Sequence, residues 1–343
     1  MDNRISNFGS VGCGFDSCLG RLIQSVVAPA GGMIWVRLLP GAPYFNPYKT
    51  MNKSLMTRLF HRIQKKVRSF FVLDQWEILV APETEYTSLS WEKLKSLTPP
   101  KDRFWADPFV WVQNGIHYLF IEELLFSNHR GRIACLQLDK ALNIVSNRVV
   151  LERPYHLSYP FLFEYSGQLY MIPETGKNNA IELYRCIQFP DQWQFEKTLI
   201  KNIRAVDTTL LESDGKWWLF TNIHEEGGSS WDTLHLYYSD NPLSENWTAH
   251  PKNPIVKDIH SARPAGRIFS HNRQLIRPSQ NCSPRYGYAV NFNEIITLNE
   301  TEYAEKTRHA FTPPSKGTIQ ATHTYNSAAG ITVIDANIRR RKF

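Results

Sequence analysis

From Gln75 to Ile338 the chain is written in short alternating runs. Apolar and aromatic residues come in stretches of four to eight, separated by Asn-Gly, Ser-Gly and Asp-Gly pairs. Period-two alternation with two-residue turns predicts antiparallel strands joined as hairpins. The pattern also repeats. ADPFVWVQNGIHYLFIEE begins at Ala106, SYPFLFEYSGQLYMIPET at Ser158 and VDTTLLESDGKWWLFTNI at Val206. ARPAGRIFSHNRQLIRPS follows at Ala262, and a weaker copy, QATHTYNSAAGITVIDAN, at Gln320. The starts lie 52, 48, 56 and 58 residues apart, and the intervals hold further strand-like runs such as GRIACLQLD, AIELYRCI and TLHLYYSD. Units of about 50 residues with about four short strands are the pattern of propeller blades. Five units predict an all-β, five-bladed β-propeller over residues 75–338. The early run QWEILVAP is expected to complete the last blade and close the ring with both ends.

Ahead of the repeats the texture differs. Residues 1–53 are rich in Gly, Pro and Asn without sustained period and read as a poorly ordered leader. In 54–72, Leu55, Met56, Leu59, Phe60, Ile63, Val67, Phe70 and Phe71 recur at helical spacing, opposite Arg58, Arg62, Lys65, Lys66 and Arg68. This predicts a cationic amphipathic helix capped by Ser54. Such a helix either packs on its own domain or adheres peripherally to an anionic membrane surface.

Composition narrows the class. Hydrophobic residues at 42% and aromatics at 13% fit a folded globular chain. The net charge of +7 gathers in the 54–72 segment and in a basic tail at 339–343. No helix-turn-helix, zinc-finger or RNA-recognition pattern accompanies it, so nucleic acid is not an expected partner. Five scattered cysteines do not make a disulfide framework, and Cys13 and Cys18 lack a second pair for zinc. No secretory signal and no run of about 18 apolar residues is read. The expectation is a soluble cytoplasmic protein, peripheral to the inner face of the membrane if the helix adheres, with no cofactor and no metal.

Candidate chemistry comes from the repeats. The second residue of each copy is Asp107, Tyr159, Asp207, Arg263 or Ala321, and in a propeller equivalent inner positions face one axis. The second strands add Glu122 or Glu123, Glu174, Asn222, Arg277 with Gln280, and Asp335. Arg263, Arg267, Arg277 and Arg285 then form one wall of a polar pocket whose other wall is acidic. Such a pocket suits a polyhydroxylated or anionic small molecule, with Trp105 or Tyr286 stacking on a ring face. Arg277 and Gln280 present fixed donors to hydroxyl or carboxylate oxygens.

The runs FWADPF, IPET, DTTLLESDGKWWLFTN, RPAGR…RPSQNCSPRYGY…NEI and HTYN…VID, the last carrying His323, cover roughly residues 75–338. Together they resemble the N-terminal domain of plant glucosamine inositolphosphorylceramide transferases. Bacterial homologues of that domain occur in surface-polysaccharide gene sets. The resemblance implies a five-bladed propeller similar to those of hydrolases acting on arabinans, xylans and fructans. Those propellers use a general-base Asp on the first blade, a pKa-tuning Asp on the next and a general-acid Glu on the third. Asp107 matches the base, whereas Tyr159 and Asp207 stand where an Asp and a Glu are expected. Asp107 with Glu174 or Asp207 still supplies the two carboxyls that glycoside chemistry needs. The family's transferase chemistry belongs to a separate domain, and neither its strand–helix alternation nor an Asp-x-Asp motif is read here. Two expectations stand: an enzyme cleaving or transferring a glycosyl unit in surface-polysaccharide or glycolipid biosynthesis, or a glycan-recognition module serving a partner glycosyltransferase.

Overall fold

The protein is seen in a computed structural model that describes residues 72–224 and 228–341. Each of five sheets has an inner hairpin that turns on two residues of positive φ. These are Asn114-Gly115, Ser166-Gly167, Asp214-Gly215, Asn272-Arg273 and Ala329-Gly330, with 50–53° at the first position and 64–87° at the second. Positive φ at both positions is the mark of a type I′ turn, whose twist matches the strands it joins. The turn pairs in the sequence therefore count the blades.

Blade one is Arg103–Gln113, Ile116–Leu125, Arg130–Leu138 and Ile144–Leu151. Blade two is Ser158–Tyr165, Gln168–Glu174, Ala180–Gln188 and Gln192–Lys201. In blade three Ala205–Ser213, Lys216–Ile223 and Thr233–Ser239 are followed by two short outer pieces, Thr248–Ala249 and Val256–Lys257, both on the third strand. Blade four is Phe269–His271, Gln274–Asn281, Ala289–Leu298 and Tyr303–Phe311. Blade five joins the two ends of the described chain: Ile319–Ala321 and Tyr325–Ala328 pair with Ile331–Arg341, which pairs with Val72–Pro82, and that with Lys95–Leu97. The closing ladder runs from Val72 opposite Arg341 to Pro82 opposite Ile331, which seals the ring with main-chain hydrogen bonds. Arg339–Arg341, expected as part of a tail, continue this strand opposite Asp74, Leu73 and Val72. The expected amphipathic helix at 54–72 and the leader lie outside the described residues, apart from Val72. Among the described residues only single 3-10 turns occur, and no helix is long and apolar enough to cross a membrane.

The apolar core sits between blades, where one sheet packs on the next. Phe109, Phe120, Phe161, Met171, Leu210 and Leu219 fill the space among blades one, two and three. Trp218, Phe220, Leu236 and Ile295 join blades three and four, and Phe292, Tyr325 and Ile334 join four and five. Ile78, Val80, Leu119, Ile121 and Val333 close five onto one. Alternation puts these residues on blade faces, while the ends of the inner strands are left to line the axis.

Three inner strands share an irregularity that decides what reaches the axis. Asp107, Tyr159 and Asp207 have φ of 51°, 44° and 52°, and the ladder slips between Ala106 and Phe109, Ser158 and Phe161, and Val206 and Thr209. A bulge with a left-handed residue re-aims that side chain. For a non-glycine residue the conformation costs about 1–3 kcal/mol, so the surrounding structure must hold it. Blade four solves the same problem differently. Its inner strand is reduced to Phe269–His271 with one isolated bridge from Pro264 to Ser279. Gly266 has φ 131°, and a Cβ there would lie 2.0 Å from the Tyr325 carbonyl oxygen, so only glycine lets blade four approach blade five this closely.

Candidate functional site

The bulged residues converge at one mouth of the channel and are linked from blade to blade. Asp107 Oδ2 accepts the main-chain N–H of Tyr159 at 3.2 Å, and its Oδ1 accepts the Thr324 hydroxyl at 2.8 Å. The Asp107 N–H donates to Asp335 Oδ2 at 3.1 Å, while Asp335 Oδ1 accepts the N–H groups of His323 and Thr324 at 2.8 and 3.0 Å. His323 Nδ1 lies 2.5 Å from Asp335 Oδ2 and 3.7 Å from Asp107 Oδ1, and the ring stacks on Trp76 at 4.1 Å. Blades five, one and two are thereby tied through two buried carboxylates.

The opposite wall belongs to blades two, three and four. Asp207 Oδ2 accepts Arg263 Nε at 2.5 Å and Gln280 Nε2 at 2.8 Å. Arg263 Nη2 lies 3.7 Å from Glu174 Oε2, and its guanidinium covers the Tyr286 ring at 5.0 Å. Glu174 is also hydrogen-bonded to Asp207 through their side chains. Beside Asp107, Glu122 pairs with His156 Nε2 at 3.2 Å. Tyr159 seals the floor: fully buried, packed edge-on to Phe109, its hydroxyl accepts the Gly266 N–H at 2.7 Å and meets the Thr209 hydroxyl at 2.8 Å.

Five carboxyl groups thus share the mouth with one arginine and two histidines among the described residues, and the imbalance sets the proton chemistry. Burial pushes the Asp107 carboxyl up to about 7, helped by Glu122, Asp207 and Asp335 and opposed by His323. Burial and the Asp207 charge push Glu174 up to about 8, against the pull of Arg263 and His156. Burial alone would lower His323, but Asp335 and Asp107 outweigh it and raise the imidazole to about 9, so it is a cation at neutral pH. His156 is likewise raised, Glu122 overcoming the effect of burial. The outcome is a carboxyl that holds its proton at pH 7, Glu174, a second poised near neutrality, Asp107, and an arginine-clamped Asp207 between them and blade four. Burial and charge pushing neighbouring carboxyls apart is how acid and base roles are divided in active sites.

Asp107, His323 and Asp335 each place a potential metal-ligating atom within 4.8 Å of the others. Those atoms already serve main-chain N–H groups, the Thr324 hydroxyl and the His323–Asp335 ion pair. A cation there would have to displace the imidazolium proton.

Comparison with known proteins places this arrangement. Residues 92–327 match the family described as glucosamine inositolphosphorylceramide transferase 1, N-terminal. The chain belongs to that family. Glucosamine inositolphosphorylceramide transferase 1 of Oryza sativa subsp. japonica is 38% identical over 206 residues, and the Arabidopsis thaliana protein of that name 36%. In both cases the match covers 59% of this chain and 27% of the relative, so the chain spans about a quarter of these proteins. Among solved structures, Zg3597, a family 117 glycoside hydrolase of Zobellia galactanivorans, superposes with a TM-score of 0.50 at 10% identity, over 77% of this chain and 91% of its own. The catalytic domain of the Coprinopsis cinerea GH62 α-L-arabinofuranosidase gives 0.51 at 10% identity, over 76% and 97%. These likenesses share the five-bladed fold with this family member.

Within this family's propeller the residues singled out from sequence separate into two sets. Asp107, Glu174, Asp207, Arg263, Gln280, Tyr286 and His323 meet at the mouth, and Tyr159 floors it. Glu123 does not: neighbouring strand residues point to opposite faces, and Glu122 takes the inward position. Glu123 instead accepts Trp105 Nε1 at 3.0 Å and pairs with Arg103 and Arg132, so Trp105 is also withdrawn from the mouth. Arg277 is 1% exposed and locked to Glu305, Ser261 O and Ala262 O. Arg285 is exposed and bonds Gln320 O. Arg267 lies at the other end of the channel, donating to Leu162 O. Ala321 is a buried strand residue, and His323 with Thr324 supplies blade five's contribution to the axis. His156, Thr324 and Trp76 were not singled out. His156, two residues ahead of the blade-two strand, and Trp76, inside the closing strand, lie outside the repeated positions that the alignment compares.

Proposed function

We propose that the axial mouth binds a glycan and cleaves or transfers a glycosyl unit by acid–base catalysis. The observation that carries this reading is Glu174, a nearly buried carboxyl hydrogen-bonded to Asp207, which burial and the Asp207 charge push up to about 8. Glu174 donates its proton to the glycosidic oxygen as the C–O bond breaks. Asp107, poised near pH 7, accepts a proton from the incoming hydroxyl, which is water's in hydrolysis and a sugar's in transfer. His323 and Thr324 orient the Asp107 carboxylate, and Tyr286, braced by Arg263, offers a ring face to the sugar. A pure recognition module would pair each acid with an arginine, and here Asp107 has none and meets the His323 imidazole at 3.7 Å instead.

Leaving-group dependence tests the assignment. General acid catalysis contributes about 10²–10⁴-fold, and only where the leaving oxygen needs a proton. Glu174→Gln should lose about that much on a glycoside with an alkoxide leaving group and far less on its 4-nitrophenyl analogue. Equal losses on both would remove Glu174 from the acid role. Binding without turnover in the unaltered protein, across a panel of glycosides, would leave the recognition reading.

Membership of a family named for glucosamine inositolphosphorylceramide transferase supports a wider proposal. In it the chain works in the cytoplasm, at the membrane surface, beside a partner glycosyltransferase assembling a surface glycan or glycolipid. Loss of the chain from its native cells would then change the surface glycan profile. An unchanged profile would remove that part of the proposal.

A further inference from the structure

The channel has a second mouth, and its chemistry is different. A cavity of about 470 Å³ opens where the inner hairpins turn, lined by residues from every blade, including Trp111 of blade one, Phe161 and Phe163 of blade two, Trp217 of blade three and Arg267 of blade four. Only at the axis do all five inner hairpins meet, so this is the far end of the same channel. The fully buried Tyr159 ring, pinned through its hydroxyl to Gly266 and Thr209, closes the passage between the two ends.

Arg267 is the unusual group. Its Nη2 donates to Leu162 O at 2.5 Å and its guanidinium lies 4.9 Å from the Phe161 ring centroid, while no carboxylate stands within 4 Å of it among the described residues. Arg263 and Arg277, the arginines buried to more than nine-tenths among the described residues, each have a carboxylate partner, whereas Arg267 is only partly buried. An arginine carries five N–H donors and cannot shed its charge at physiological pH. A half-buried cation whose guanidinium meets one main-chain acceptor carries a desolvation cost that a bound anion would offset. Burial accordingly pushes its pKa down to about 10. Glu164 and Glu212 also line the cavity, but both are exposed and out of ion-pair reach. They disfavour a ligand of high negative charge and tolerate one that carries a single anionic group.

We infer that this second mouth is a binding site for a small monocarboxylate carried on a ring, the carboxylate meeting Arg267 and the ring lying among Trp111, Phe161, Phe163 and Trp217. Planar, bidentate recognition of a carboxylate is what a guanidinium does best. Aromatic walls accept the apolar face of either an aryl ring or a sugar ring, so aryl carboxylates and sugar acids are the two sources of this chemistry. The site is independent of the acid–base chemistry at the opposite mouth.

Calorimetric titration of the full chain with sodium benzoate, sodium glucuronate and inorganic phosphate tests it. At least one of the two ring carboxylates should bind, and which one binds identifies the source. Phosphate, a point anion without a ring, should bind at least tenfold more weakly. Arg267→Gln should weaken the carboxylate at least tenfold and Trp111→Ala severalfold, while Asp107→Asn at the opposite mouth leaves it unchanged. If Arg267→Gln does not fold, Trp111→Ala decides the matter, since Trp111 is only half-buried. The inference is overturned if neither carboxylate binds, if phosphate binds equally well, if neither the Arg267 nor the Trp111 variant weakens binding, or if Asp107→Asn abolishes it.

Discussion

Arg277→Met is the sharpest test of how the arginine-rich segment is used. Arg277 is 1% exposed, and its Nε and Nη2 meet Glu305 Oε2 and Oε1 at 2.7 and 2.6 Å. Nη2 also donates to Ser261 O at 2.6 Å, and the Tyr303 hydroxyl donates to Glu305 Oε2 at 2.5 Å. Methionine keeps much of the apolar stem and removes the charge, leaving the Glu305 carboxylate, only 9% exposed as a side chain, without a cation. Breaking a buried pair from one side costs about 3–5 kcal/mol, chiefly through the uncompensated charge. For a domain of this size that is a fall in Tm of roughly 6–20 °C. The double variant Arg277→Met/Glu305→Met removes both charges and should recover most of the loss. Urea and thermal unfolding of the wild type, both single variants and the double variant complete the cycle. A loss below about 1 kcal/mol in Arg277→Met, or a double variant no more stable than the worse single, would refute the structural role assigned to this arginine.

Two further outcomes follow from the same physics. His323 is raised to about 9 in the fold, above its unfolded value of about 6.5. Its charge therefore stabilises in full below about pH 6.5, and that stabilisation is lost as pH rises through about 9. The urea midpoint should fall over pH 7–9.5 in the wild type and fall less steeply in His323→Gln, where Glu174, raised to about 8, still contributes; parallel profiles would contradict the pairing with Asp335. The cationic amphipathic pattern of 54–72 predicts co-sedimentation of the full chain with anionic vesicles and release by salt, and binding indifferent to lipid charge would dismiss it.

Much of the fold was legible because a blade repeats locally. The turn pairs, the period-two alternation and the spacing near 50 residues each follow from one hairpin copied five times, and the closing role of QWEILVAP follows from the missing strands of the last copy. The site was legible only as far as the repeats were regular. Asp107 and Asp207 sit at equivalent bulges, so alignment alone brings them together. Glu122 and Glu123 cannot be told apart without the register, since one step along a strand reverses the face. In blade four the broken inner strand changes which arginine points where, so Arg263 reaches the acids, Arg277 is turned toward Glu305 and Arg267 to the far mouth. Blade five has the weakest repeat, and there His323 and Thr324 stand in for the aligned Ala321. Long-range partners such as Trp76 against His323 leave no local trace in the chain.

Glu174 keeps its proton at neutral pH because burial and the neighbouring Asp207 charge both raise its carboxyl. Carboxyl ¹³C NMR of the glutamate-labelled chain measures this directly, with Glu174→Gln identifying the resonance by its disappearance. The expected titration lies near 8, far above the usual glutamate value of about 4.3. In Asp207→Asn the midpoint should move down, since the neighbouring charge is gone while the burial stays. A Glu174 resonance that titrates near 4.5 in the wild type would remove Glu174 from the acid role.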